Sequence, residues 1–124
     1  MGCTGWMEFA VLVVTRHTSI DPEGFLAAAA PALCALSARP GCLSAEAFRA
    51  LDDPRLVLIV TRWQDVGSYR RALSSYEVKV AAVPVLAGAE NVASAFEVRL
   101  IAHQGEVQEL TGDRADDADT IGPS

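Results

Sequence analysis

Apolar residues recur along the chain in two rhythms, a short one suited to strands and a longer one suited to helices. Glu8 to His17 (EFAVLVVTRH) is a nearly unbroken apolar run, bounded by Gly5 and by Asp21-Pro22, and predicts a strand buried on both faces. Asp21-Pro22-Glu23 reads as an N-cap, a proline in the first turn and an acidic first turn, so a helix begins there. Phe25, Ala29, Leu33 and Leu36 keep helical spacing to about Ala38, with Pro31 expected to kink or restart the helix and Arg39-Pro40-Gly41 to end it.

Cys42 to Ala50 alternates well enough for a second strand, and Arg55 to Trp63 (RLVLIVTRW) is the clearest strand in the chain. The turn Asp52-Asp53-Pro54 makes the two a hairpin. Asp65 is the expected cap of a second helix, with Val66, Tyr69, Ala72 and Leu73 on one face. Ser74-Ser75 breaks it before a further helical piece, Tyr76 to Leu86, limited by Pro84 and closed by Gly88. Val92 to Ala102 is the last expected strand. Beyond His103 the periodicity fails, and the acidic, Gly- and Asp-rich segment predicts a mobile tail. The expected division is therefore an N-terminal segment 1–7, a folded domain 8–102 and an acidic tail 103–124.

The order β-α-β-β-α-β is the split βαβ, or ferredoxin-like, arrangement: an α+β fold with an antiparallel sheet and its helices on one side. Helices on one side cover only one sheet face. Leu12 and Val14 against Val11 and Val13, and Leu56, Leu58 and Val60 against Val57 and Ile59, are apolar on both parities. The second face needs cover, and another copy of the chain is the simplest one, which predicts a homodimer.

Composition adds limits. The 124 residues suit one domain, and 51% hydrophobic with 21% charged residues fits a globular protein. A net charge of −6 repels phosphate and anionic lipid, so nucleic acid and membrane are poor partners, although much of that charge sits in the tail. Cys3, Cys34 and Cys42 show no paired spacing and read as reduced thiols. With no apolar run of about 20 residues and no basic start before an apolar stretch, the expectation is a cytoplasmic protein without a signal peptide.

Taken together, the hairpin ARPGCLSAEAFRALDDPRLVLIVTRWQD, the helical stretch GSYRRALSSYEVKVAAVPVL and the closing SAFEVRL resemble the antibiotic biosynthesis monooxygenase superfamily of dimeric α+β barrels. With the first strand and helix, the resemblance covers about residues 8–102. It implies two ferredoxin-like sheets packed face to face, and a pocket in each protomer between its own sheet and helices. It also implies a cofactor-independent monooxygenase acting with O2 on an aromatic polyketide-like or quinol substrate. Family members without that chemistry keep two alternatives open, a non-catalytic small-molecule-binding or assembly module and a polyketide cyclase or isomerase.

By the same resemblance Trp63 and Tyr69 face the pocket, where an indole N–H or phenol O–H orients a phenolic substrate and stabilises its anion. The plainer alternative is that they pack helix onto sheet. Tyr76, at the bend of the second helical region, can reach the same pocket or simply pack. Where the quinone-forming branch has an Asn shortly before its Trp, this chain offers Ile59 and Thr61, and a later helical Arg of that branch has no secure counterpart. The haem-degrading branch has a Trp and a ligand His where this chain has Ala72 and Ala82, so no haem is expected. No GxGxxG, P-loop or metal-ligand cluster is present in the sequence, so neither a cofactor nor a metal is expected.

His17 is read from its chemistry alone. It is the one imidazole within the expected domain, with an ordinary pKa of about 6.5, and is either a general base or a solvated strand end. Arg62, on the opposite parity from Trp63, leaves the sheet toward the partner copy, with Glu97 as a candidate counter-ion. Arg70, Arg71 and Arg99 are expected at solvated edges or the dimer rim.

Overall fold

The computed structural model describes residues 10–110. The expected start of the first strand at Glu8, Cys3 and the tail beyond residue 110 lie outside them. Strand β1 is Val11–Thr18 and helix α1 is Pro22–Ser37. The hairpin strands are β2, Cys42–Arg49, and β3, Leu56–Trp63. The second helical region is α2, Val66–Leu73, α3, Tyr76–Ala81, and α4, Val83–Leu86. Strand β4 is Ala95–Glu97, followed by β5, Leu100–His103, and β6, Glu106–Glu109.

The main sheet runs β2-β3-β1-β4 with every pairing antiparallel, the ferredoxin-like α+β arrangement. Because side chains alternate along a strand, each strand sorts its residues onto two faces. Val11, Val13, Thr15 and His17 of β1 and Val57, Ile59, Thr61 and Trp63 of β3 are all buried on the helix-covered face. Leu12, Val14, Leu56 and Leu58 on the other face are only half-buried, and Phe48 and Phe96 are each 45% exposed. Within a single chain β1 is thus buried on one face, not both.

Helix α1 starts as its sequence dictates, with the Asp21 carboxylate accepting from the Gly24 amide at 3.1 Å. Ala29, Ala32 and Leu36 form its buried stripe, and the small alanines let it lie close on the sheet. Of the two expected effects of Pro31, a restart does not occur, since α1 runs on as one helix through it. Its ring lies on the exposed side, where water can solvate the carbonyl that loses its helical partner.

The core cluster joins Val11, Val13, Leu36, Trp63, Val66, Ala72, Val78 and Ala82. Trp63 is fully buried and is the largest side chain in it. Burying a side chain of this size removes on the order of 150–250 Å² from water, so Trp63 is the main apolar anchor of α2 on the sheet. One glycine is required by this packing. Gly41 has φ +86°, and a Cβ there would overlap the Ser68 side chain at the start of α2.

The C-terminal end differs most from expectation. The predicted strand Val92–Ala102 keeps only Ala95–Glu97 in the main sheet, paired with Val11 to Val13. After Arg99 the chain forms a separate hairpin, with Leu100–His103 paired to Glu106–Glu109. Gln104 (φ 53°) and Gly105 (φ 86°) make its two-residue turn, and positive φ at both central residues matches the right-handed twist of hairpin strands. His103, expected to open a structureless tail, is the last residue of β5.

Candidate functional site

Helix α2 begins at Asp65, whose carboxylate accepts from the Ser68 amide at 2.7 Å. That hydrogen bond, reinforced by the Ser68 side chain and the nearby Arg71 charge, holds the Asp65 pKa below its ordinary value. The capped helix carries Tyr69 over the sheet against Trp63, with ring centroids 5.7 Å apart and planes at 55°. The Trp63 indole N–H donates to the Thr61 hydroxyl at 2.7 Å, two residues back on the same strand face. The N–H expected to meet a substrate is therefore engaged by Thr61.

Tyr69 lines two cavities. The larger, of about 340 Å³, lies between β1, α2, α4 and the chain that follows α4. Val13 and Thr15 form its floor, Tyr69 and Leu73 one wall, Leu86 another, and Glu90 and Ser94 its polar rim. The smaller, of about 110 Å³, is bounded by Val11, Val66, Tyr69, Arg70, Phe96 and Glu97. Among the described residues the Tyr69 hydroxyl has no hydrogen-bond partner, whereas its ring is half-buried. Burial pushes the phenol above its ordinary pKa. At neutral pH it is an O–H donor, suited to accept no proton but to stabilise an anion beside it.

His17 sits two residues along β1 from Thr15, on the same face. It is 3% exposed, so it is not the solvated strand end that was one of its two readings. Its Nε2 lies 2.9 Å from the Thr15 hydroxyl, and its ring is 4.9 Å from that of Phe25 on α1. Burial lowers its pKa, and the Glu90 carboxylate opposes that shift in part. The imidazole is consequently neutral at physiological pH.

The structure thus brings Trp63, Thr61 and Tyr69 together, and sets His17 with Thr15 further along the same face. In register order from one end, the β1 and β3 pairs are Val11 with Trp63, Val13 with Thr61, Thr15 with Ile59 and His17 with Val57. Ile59 is buried and lines neither cavity. Tyr76 is 76% exposed and also lines neither. Ala72 and Ala82 are buried among the core residues. Thr15, Leu73 and Glu90 were missed as candidates. Only Thr15 left a signal, its shared parity with His17.

On the open face Arg62 forms an ion pair with Glu46 and reaches Ser44 of β2. The expected partner Glu97 pairs in register with Val11, whereas Arg62 pairs with Leu12, so the two residues belong to opposite faces. Arg70 lines the smaller cavity instead of lying only on a rim. Among the described residues no cluster of three or more His, Cys, Asp or Glu could hold a metal ion, and no helix is long and apolar enough to cross a membrane.

This arrangement is that of a small α+β protein with a pocket between an antiparallel sheet and its covering helices. The sequence profile of the family described as antibiotic biosynthesis monooxygenase matches residues 11–83, more than half of the chain, and the chain belongs to that family. Among solved structures, it is similar to SnoaB, a cofactor-independent oxygenase from Streptomyces nogalater. That match has 21% identity over 79% of this chain and 99% of the other, with a TM-score of 0.62. A conserved protein from Methanosarcina mazei Go1 matches with 18% identity, 74% and 93% coverage and a TM-score of 0.59. Rv0793 from Mycobacterium tuberculosis matches with 14% identity, 76% and 97% coverage and a TM-score of 0.57. At these identities the likeness establishes the fold. No curated protein sequence is significantly similar to the chain.

Proposed function

We propose that the protein is a cofactor-independent monooxygenase that oxidises an aromatic polyketide-like or quinol substrate with O2. The observation that carries this reading is Tyr69, whose hydroxyl has no hydrogen-bond partner among the described residues, in the lining of a cavity of about 340 Å³ whose walls are largely apolar. A flat phenolic ring fits such a site, with few polar groups to fix its orientation. Loss of a proton makes the substrate electron-rich enough to reduce O2 directly. Tyr69 donates to the developing anion, and the buried Trp63 holds Tyr69 in place from behind. For an anthrone-type substrate, a ring CH2 becomes C=O. One oxygen atom enters the product, the other leaves as water, and the substrate supplies all four electrons.

The working unit in this reading is a cytoplasmic homodimer, its two sheets packed through the open face. Support comes from the exposed Phe48 and Phe96 and the half-buried Leu12, Val14 and Leu58 on that face. A monomer mass by light scattering at micromolar concentration overturns the dimer.

The activity is tested by O2 uptake with a panel of anthrones and quinols, comparing the wild type with Tyr69→Phe. Uptake that falls about 10-fold to 1,000-fold in the variant is expected for loss of one anion-stabilising donor. No uptake by the wild type across the panel overturns the reading. Binding without uptake then favours the small-molecule-binding module, for which the engaged Trp63 N–H and the apolar walls speak.

A further inference from the structure

We infer that Thr15 and His17 form a proton relay that takes the substrate's phenolic proton from the cavity into the protein core. The inference rests on the oxygenase reading for its substrate class and supplies the step that reading lacks, the removal of a proton. Tyr69 cannot serve, since its phenol is the more firmly protonated for being buried. Glu90 is at the cavity rim but is committed elsewhere, accepting from the Thr18 hydroxyl at 3.0 Å and pairing with Arg16 at 3.7 Å.

Thr15 lines the cavity floor, as Ser94 lines its rim. Behind Thr15, His17 packs against the Phe25 ring and is joined to this residue of the cavity floor by the 2.9 Å contact. In the Nδ1–H tautomer the threonine hydroxyl donates to Nε2. When a phenol docks with its O–H on Thr15, the phenolic O–H bond breaks and its proton passes to Oγ1. The proton already on Oγ1 passes to Nε2. The products are a phenolate in the cavity, an unchanged threonine and an imidazolium behind it. No oxidant or metal enters this step, and the proton returns with the water released later.

The surroundings keep the base empty at rest, and one carboxylate offsets part of the cost of charging it. Burial keeps His17 neutral before substrate arrives, and the negative Glu90 stabilises the imidazolium once formed. The remaining charged groups facing this end form a pair. Arg49 lies in register beyond Val57 on the same sheet face and is bound to Glu23 of α1 at 2.8 Å, so together they add little net field. Arg16 leaves β1 on the opposite face and is itself paired with Glu90.

The relay is tested with a hydroxyanthraquinone, a coloured phenol whose phenolate absorbs at longer wavelength. Binding to the wild type should raise the phenolate-to-phenol ratio about tenfold over the free dye at the same pH. The 15N signal of His17 Nε2 should move toward the imidazolium position in the same titration. Thr15→Val keeps the shape of the side chain and should abolish both changes, and Thr15→Ser should restore them. An unmoved His17 signal on binding, an undiminished phenolate fraction in Thr15→Val, or no binding of the dye at all overturns the relay. The two proposals fail separately. Proton transfer without O2 uptake on the panel overturns the oxygenase and leaves the relay. O2 uptake in Thr15→Val with a wild-type pH profile overturns the relay and leaves the oxygenase.

Discussion

Two neighbouring strands carry the same local device with different chemistry. On β3 the ring of Trp63 is hydrogen-bonded to Thr61, and on β1 the ring of His17 is hydrogen-bonded to Thr15. Each pair is two residues apart on the helix-covered face, and each ring is buried. The indole N–H can only donate, so its pairing with Thr61 is fixed at any pH. The imidazole can hold one proton or two, and its threonine also touches the cavity. The same geometry therefore gives a packing unit at one end of the face and a titratable one at the other. Ring chemistry and access to the cavity decide between them, not position on the strand.

The comparison breaks first at Trp63. Trp63→Ala removes the largest core side chain, and the expected loss is about 3–5 kcal/mol in urea denaturation. A loss no larger than that of an exposed residue would mean that the aromatic end is not the anchor. Next, Thr61→Val leaves a buried indole N–H without a partner, at a cost of about 1–3 kcal/mol. Thr15→Val should cost less than Thr61→Val in the same assay, since water in the adjoining cavity can replace the lost hydroxyl. Equal losses would erase the distinction between the two ends. Asp65→Ala removes the cap that positions Tyr69, and should cost about 1 kcal/mol by thermal melting.

The smallest effect concerns pH. The His17 pKa is lowered in the folded chain by burial, so the unfolded chain binds this proton more readily. Its stabilising contribution is complete above the unfolded pKa of about 6.5 and is lost as pH falls below that value. Stability measured from pH 7.5 down to pH 5 should decline less in His17→Gln than in the wild type. The Trp63–Thr61 pair contributes nothing to that slope, and an identical slope in the two proteins would show that His17 titrates freely.

Strand parity made much of this legible in the sequence. The run from Leu56 to Trp63 fixed which residues share a face, and so did the first strand, which is why Arg62 and Trp63 were separated correctly. The caps at Asp21 and Asp65 were equally plain, because a carboxylate before a helical pattern has a local task. What depended on distant chain was not legible. The burial of His17 comes from Phe25 across a loop, and the partner of Arg62 from the register of β2. Alternation alone gives neither. The hairpin β5–β6 was missed for another reason. Its Gln-Gly turn is a weaker signal than Asn-Gly, and the acidic composition around it masked the short alternating strands.

Gly41 has a reach beyond its own turn. Its carbonyl accepts from the Gln64 amide at 2.8 Å, and the space a Cβ would need is filled by Ser68. The turn that ends α1 is thereby wedged against the helix that carries Tyr69. A bulkier residue at this position must push α2 outward, and Tyr69 moves with it. Position 41 lines neither cavity, yet it acts as a spacer for the cavity wall. The width of the cavity can therefore change through this turn while every wall residue stays the same.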